Sequence, residues 1–166
     1  MKADTVLAFE IPPDLCYARV LTTAAETLAE RLGLGKRENM RFQLAVEEFF
    51  DYLTQVAVKH CPVKAVLTGK RYLVRASFTF AAGALNLGAL NFNSVVSISH
   101  DGEPPQDLGL LLAARIADRC HLSRGEDGAF TLQAEVDMVY PKRKACLRTS
   151  SSSLPTGPSP AATGTS

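Results

Sequence analysis

The hydrophobic period of this chain changes from helical to β-type near residue 62, and this change constrains the fold most strongly. From Tyr17 to Ala57 the apolar residues recur at spacings of three and four, and glycines interrupt the pattern only at Gly33 and Gly35. From residue 71 to residue 80 apolar residues alternate with polar ones, as in a strand that buries one face. The change predicts two amphipathic helices that are followed by a sheet.

The remaining pattern completes an order of elements. The predicted segments are a short edge strand over residues 5–11, helices over 14–32 and 36–60, a strand over 71–80 with a hairpin partner over 85–89, a turn-rich loop, a helix over 108–119, and two strands within 121–140 joined at residues 125–128. Pro62 is predicted to close the second helix. This order predicts an α/β (α+β) two-layer sandwich, with a mixed, mainly antiparallel sheet covered on one face by about three helices.

Composition limits the class of protein. The chain has 166 residues, of which 46% are hydrophobic, so it predicts one domain over residues 1–141. Residues 142–166 are rich in Ser, Thr, Pro, Gly and Ala, which predicts a disordered low-complexity tail. The net charge of +1 argues against a dedicated nucleic-acid or membrane-surface binder. No apolar run reaches the roughly 20 residues of a membrane span, and the first residues do not resemble a signal peptide, so a cytoplasmic location is expected.

The four cysteines are widely scattered. Their spacing matches neither a disulfide framework nor the short loops that bring two ligands onto one metal ion. We expect free thiols and no metal site formed by these residues.

Two segments carry a resemblance to a known family. Residues 44–52 (LAVEEFFDY) resemble the N-box helix of the anti-sigma-factor serine kinases of bacteria, whose superfamily includes the histidine kinases and gyrase B. Residues 108–112 (LGLLL), followed by 116–118 (IAD), resemble the glycine–leucine helix that follows the ATP lid in that family. The resemblance spans about residues 5–139. It implies the histidine-kinase-type ATPase fold, with ATP and magnesium as cofactors.

The first family motif places an acid and an asparagine four residues apart on one helical face, where the acid polarises the attacking group and the asparagine helps to hold magnesium. Glu48 matches the acid and is the candidate catalytic residue, or else a surface carboxylate grouped with Glu47 and Asp51. Tyr52 stands at the asparagine position, where a phenol is a poor magnesium ligand; it is expected to pack into the vacated space or to stack on a ligand.

The second motif is the adenine-binding Asp-x-Gly. Counting forward from the strand over 85–89 puts Asn91 at the position of the aspartate and Asn93 at the position of the glycine. Asn91 lacks the negative charge of the aspartate, and the side chain of Asn93 narrows the space through which the adenine base approaches. Asn91 also suits ordinary turn chemistry. A rival register assigns the motif to Asp101 and Gly102, which keeps the aspartate but shortens the lid.

The third motif is a glycine-rich phosphate loop at the start of a helix. Only Gly109 matches it, either as a phosphate contact or as a glycine that avoids a steric clash. The preceding residues 104–107 include two prolines and an aspartate, which form a poor phosphate cradle.

Three functional hypotheses follow. The first is a degenerate anti-sigma-factor-like regulatory domain that binds a protein partner, either sigma-factor-like or antagonist-like, with ATP binding weak or lost. The second is an active ATP-dependent serine/threonine kinase of the anti-sigma-factor type. The third is an accessory domain of an acetyltransferase-like two-domain protein. A homodimer is compatible with the sequence, which does not decide the oligomeric state.

Overall fold

Five antiparallel strands and three helices make up the described part of the computed structural model, which covers residues 5–83, 85 and 108–139. The strands are β1 (Thr5–Ile11), β2 (Val63–Gly69), β3 (Leu73–Phe80), β4 (Arg119–Arg124) and β5 (Phe130–Asp137). The helices are α1 (Ala18–Leu32), which follows a 3-10 turn at Leu15–Tyr17, α2 (Lys36–Val56) and α3 (Leu108–Ile116).

The strands lie in the order β1-β2-β3-β5-β4, and each of these pairings is antiparallel. Burial alternates along β2, β3 and β5, because one face of each strand packs beneath the helices. The predicted two-layer sandwich of α+β class, with helices on one face, is therefore confirmed.

Helix α1 begins and ends where the sequence predicts. Asp14 accepts a hydrogen bond from the Cys16 N–H at 2.9 Å and caps the 3-10 turn that leads into the helix. Gly33 ends α1 in the left-handed conformation, with φ of 77°. A residue with a side chain adopts this conformation less readily than glycine does. The helix buries Leu21, Ala25 and Leu28.

Helix α2 ends earlier than predicted, at Val56 rather than near residue 60, and Pro62 does not close it. Ala57 has extended backbone angles and forms an isolated β-bridge with Ala82. The N–H of Val58 donates to the carbonyl of Ala81 at 2.9 Å. The backbone after Val56 thus pairs with the chain that leaves β3, and this pairing replaces a further helical turn.

The predicted hairpin partner of β3 is wrong. Strand β2, which was not predicted, occupies one side of β3, and β5 occupies the other. Both sides of β3 are thus filled along its length by other strands, and residues 86–89 lie outside the described part of the chain. The observed order of the described elements still matches the predicted order, because β2 and β3 together stand where two strands were predicted.

Helix α3 is also shorter than predicted. It ends at Ile116, and the N–H of Asp118 donates to the carbonyl of Glu135 at 2.8 Å, so the chain turns directly into the β4–β5 ladder. Within α3, Leu112 is 42% exposed, whereas Leu110 is buried.

The core lies between α2 and the middle of the sheet. Phe49 of α2 meets Phe78 of β3 edge to face, with ring centroids 6.3 Å apart. At the other end of the helix layer, Leu32 of α1 packs directly on Gly69 of β2, where an added Cβ would overlap its methyl group. This contact fixes α1 close to the sheet.

Two expectations fall largely outside these residues. The tail over residues 142–166 lies outside the described part of the chain, as does the boundary at residue 141. Among the described helices, none is long and apolar enough to cross a membrane.

Candidate functional site

Helix α2 packs between α1 and α3, so its outer face borders both neighbours. Glu48 lies on this face, beside a cavity of about 500 Å³ between the start of α1 and the middle of α2. The lining consists of Leu15, Ala18, Arg19, Thr22, Glu47, Glu48 and Asp51.

The cavity is acidic. It carries three carboxylates, and Arg19 is the one cation among the residues that line it. Partial burial, followed by the charges of Asp51 and Glu47, raises the pKa of Glu48 above its ordinary range. Within the described ranges, no group donates a hydrogen bond to the Glu48 carboxylate. Glu48 therefore belongs to an acidic cluster whose other two carboxylates oppose its ionisation.

Gly109 lies directly against Glu48. A Cβ built on Gly109 would stand 2.9 Å from Oε2 of Glu48, so the carboxylate fills the space beside the first turn of α3. The structure therefore brings these two candidate residues together, and the glycine leaves room for the acid.

Tyr52 occupies a different environment, although it lies only one helical turn from Glu48. It is 4% exposed and belongs to the hydrophobic core, and it does not line the acidic cavity. Among the described residues, no group of three or more His, Cys, Asp or Glu side chains could hold a metal ion. A buried phenol thus stands where the family pattern has its magnesium-binding asparagine.

Asn91, Asn93 and the rival pair Asp101 and Gly102 lie outside the described residues, as do residues 104–107 of the proposed lid. The assignments of the adenine-binding motif and of the lid stay predictions.

One positioning residue was missed by sequence reasoning. Arg41, seven residues before Glu48 on α2, donates to the carbonyl of Ile116 from Nε at 2.9 Å and from Nη2 at 2.7 Å. It also donates to Asp118 at 2.8 Å, and Asp118 accepts the N–H of Asp137 at 2.8 Å. Since a backbone carbonyl leaves no mark in a sequence, only Asp118, within the IAD segment, could have hinted at the contact.

The pKa of the Asp118 carboxylate is shifted in the opposite direction to that of Glu48. Burial works against its charge, but the hydrogen bonds from Arg41 and from the Asp137 N–H outweigh that effect and hold its pKa below the ordinary range. Arg41 and Asp118 therefore secure the last turn of α3, and Gly109 begins the helix beside the Glu48 carboxylate.

Comparison with known proteins gives a likeness of fold. No protein-family model matches the chain, and no curated protein does so either. The chain superposes on the crystal structure of the RsbU and RsbW domains of Rv1364c from Mycobacterium tuberculosis with a TM-score of 0.59 and 13% identity, over 82% of this chain and 33% of that one. It also matches the SiaB–SiaC complex of Pseudomonas aeruginosa with a TM-score of 0.49 and 13% identity, over 80% of this chain and 89% of that one.

The first of these likenesses shows that this chain shares its fold with part of that Mycobacterium tuberculosis chain. This chain spans about a third of the length of the Mycobacterium tuberculosis chain that it matches. At 13% identity the likeness concerns the fold alone, so the function has to be argued from the residues of the site.

Proposed function

We propose that this domain is an anti-sigma-factor-like regulatory domain that acts by binding a protein partner, with ATP binding weak or lost. The observation that carries the proposal is the contrast between two residues one turn apart. Tyr52, at the position of the magnesium-binding asparagine, is buried in the core, and Glu48 lines a cavity with two further carboxylates.

This arrangement disfavours a nucleotide for two reasons. Three carboxylates around one cavity repel a triphosphate, and Arg19 is the one cation in that lining to offset them. The Glu48 carboxylate also lies against the first turn of α3, where the backbone N–H groups of a helix start would otherwise attract phosphate. A phosphate at that place would have to displace a group of its own charge.

The same cavity suits a protein segment. Leu15 is 57% exposed at its edge and offers an apolar contact, and Glu47, Glu48 and Asp51 supply negative charge. A partner segment that carries basic and apolar side chains would find both complements there.

One observation favours the active-kinase alternative. The raised pKa of Glu48 is what a general base needs in order to accept a proton near neutral pH. This alternative requires nucleotide binding, so a nucleotide titration separates it from the proposal.

The first experiment is a calorimetric titration of the full chain with a non-hydrolysable ATP analogue, with and without magnesium. We expect no magnesium-dependent binding, because the buried Tyr52 stands at the position of the family's magnesium-binding asparagine. Micromolar binding that requires magnesium would overturn the loss of ATP binding. In that event Glu48→Ala should abolish phosphoryl transfer to a protein substrate, and Tyr52→Phe, which keeps the packing, should preserve it.

The second experiment tests the partner surface. A protein that co-purifies with the chain is identified and purified, and its affinity is measured against Glu47→Lys in the cavity and against Glu30→Lys, an exposed residue near the other end of α1. We expect Glu47→Lys to weaken binding about tenfold, and Glu30→Lys to change it less than about twofold. Equal effects of the two variants would rule out the cavity as the docking surface.

A further inference from the structure

The outer face of α2 carries one line of residues that repeat at spacings of three and four. We call this line the α2 stripe; it consists of Arg37, Met40, Leu44, Glu47 and Asp51. Residues at such spacings lie above one another on a helix and form the seam through which helices bind a further helix. The stripe begins with a cation, continues with two apolar side chains and ends with two carboxylates.

The apolar part of the stripe is open to solvent. Met40 is 61% exposed, and Leu44, one turn later, is 37% exposed. Neither side chain belongs to the hydrophobic core or packs against it. A single exposed apolar residue is ordinary, but neighbouring ones framed by charges are typical of an interaction surface.

Helix α3 adds a third apolar residue at the same level. The first turn of α3 lies against Glu48 and its last residue is held by Arg41, so α2 and α3 run antiparallel. Leu44 stands midway between those two residues of α2, and Leu112 stands midway along α3. Since Leu112 is also exposed, the apolar surface extends from α2 across to α3.

We propose that the α2 stripe, with the neighbouring leucine of α3, binds one amphipathic helix of the regulatory partner protein. Apolar side chains of that helix contact Met40 and Leu44. Its basic side chains lie over Glu47 and Asp51, and an acidic side chain lies over Arg37. The inference rests on the proposed function, because it treats the acidic cavity as one end of a longer docking surface.

The spacing of the stripe favours a helix over an extended segment. From Arg37 to Asp51 the stripe is about 21 Å long, with about 5.3 Å between successive members. Side chains on one face of an extended chain are about 6.7 Å apart, so they fall out of step with the stripe within three members. A second helix has the same spacing and stays in step along the whole length.

The order of charges specifies the chemistry of the partner helix. A helix of one charge sign would match one end of the stripe and be repelled by the other. Arg41 does not alter the balance, because its guanidinium already donates to Ile116 and Asp118. The partner helix therefore carries apolar residues one turn apart, with basic residues on one side of them and an acidic residue on the other.

A second copy of α2 matches the stripe less completely. An antiparallel pair of α2 helices can match the apolar residues with each other and Arg37 with Glu47. Asp51 would then stand opposite Gly33, which precedes the first residue of the helix. Moving the pair until Asp51 meets Arg37 puts Met40 beside a carboxylate. A separate helix can oppose both acids with cations and both apolar residues with apolar ones.

The first test uses a synthetic helical peptide of about 18 residues with a fluorescent label. Its alanine-rich helix carries glutamate, two leucines and two lysines, in this order and at spacings of three and four. We expect saturable binding, measured by fluorescence anisotropy, with the full chain at up to about 100 µM. A control peptide with both lysines replaced by glutamate should bind about tenfold more weakly or worse. Equal binding of the two peptides, or no saturable binding of the first, would overturn the proposal.

Variants of the chain locate the binding surface. Leu44→Glu should weaken the first peptide about tenfold, because it puts a carboxylate at the apolar centre of the stripe. Val20→Glu, the same change at an exposed residue of α1 outside the stripe, should change binding less than about twofold. Glu47→Lys should weaken the first peptide and strengthen the control peptide. Equal effects of the two glutamate variants, or no exchange of preference in Glu47→Lys, would contradict the proposed surface.

Circular dichroism shows whether each variant is folded. If Leu44→Glu fails to fold, Met40→Glu, at a more exposed position of the stripe, takes its place with the same expected result.

The co-purifying partner separates this inference from the proposed function. We expect both Glu47→Lys and Leu44→Glu to weaken its binding. If Glu47→Lys alone weakens it, the cavity binds the partner and the stripe proposal is wrong. If neither does, the proposed docking at the cavity is wrong as well. Sedimentation of the full chain covers the remaining occupant, because self-association that Leu44→Glu abolishes would assign the stripe to a second copy and overturn the proposal.

Discussion

The contact between α2 and α3 has two ends, which differ in how far their charged groups are paired. At the Arg41 end, the guanidinium, the Ile116 carbonyl and the Asp118 carboxylate are all paired, at distances between 2.7 and 2.9 Å. At the Glu48 end, a carboxylate with a raised pKa lies beside Gly109 and two like charges, without a hydrogen-bond donor among the described residues. One end fixes α3, and at the other end no described residue compensates the charge.

The difference indicates which end serves stability and which serves binding. A fully paired cluster offers a ligand nothing, because a ligand would have to replace bonds that already exist. An unpaired carboxylate on a cavity wall gains from any donor or cation that arrives. The α2–α3 contact therefore combines an anchor at Arg41 with a candidate binding group at Glu48, two helical turns apart.

The anchor should show the largest effect on stability. Arg41→Leu leaves the Ile116 carbonyl and Asp118 without their donor, and we expect it to lower the free energy of unfolding by about 2 kcal/mol. Urea denaturation measures this change. Arg37→Leu, an exposed position one turn earlier, should change it by less than about 0.5 kcal/mol. Similar losses in the two variants would mean that Arg41 is not an anchor.

The two ends should respond to pH with opposite signs. Because the folded-state pKa of Glu48 is raised, its contribution to stability is full below the unfolded pKa and is lost as pH rises through the raised pKa. Glu48→Gln should thus equal the wild type near pH 4 and exceed it near pH 7 by a few tenths of a kcal/mol, the usual size of a like-charge helix pair.

Asp118 supplies the internal contrast for that measurement. Its folded-state pKa is lowered, so its contribution is present above the unfolded pKa and is lost as pH falls through the lowered value. Asp118→Asn should be less stable than the wild type near neutral pH, and this difference should shrink in acid. Urea midpoints across the pH series check both signs, and a Glu48→Gln gain that grows toward acid would contradict the proposed environment of Glu48.

A double-mutant cycle of similarly small size tests whether Gly109 and Glu48 touch. Alanine favours a helix by up to about 1 kcal/mol over glycine, but a Cβ at position 109 would meet Oε2 of Glu48. Gly109→Ala should therefore stabilise the Glu48→Ala variant more than the wild type, by about 0.5 kcal/mol in a double-mutant cycle. Exact additivity in thermal or urea unfolding would show that the two residues do not interact.

Much of the fold could be predicted because its signals are local. The alternation in β5 and the glycine after α1 each specify an element without reference to the rest of the chain. The end of α2 could not be predicted, because it depends on a bridge between Ala57 and Ala82, which only the folded chain brings together. Strand β2 had a readable alternation at Val63, Ala65 and Leu67, which the preceding Pro62 obscured.

The candidate site divides in the same way. Glu48 and Gly109 were singled out separately, each from its own motif, and the described geometry places them side by side. The sequence could not show which leucine of α3 is buried, because Leu110, Leu111 and Leu112 are all apolar and periodicity cannot choose among them. Arg41 could not be identified because its main acceptor is a backbone carbonyl.

The contact of Leu32 with Gly69 has a consequence for anyone who redesigns this domain. Every natural substitution of glycine adds at least a methyl group, and here that group would meet three carbon atoms of one leucine side chain. The side-chain volume available at position 69 is therefore shared with the side chain at position 32. A larger residue in β2 would require a smaller one at the end of α1, so the two positions have to be chosen as a pair.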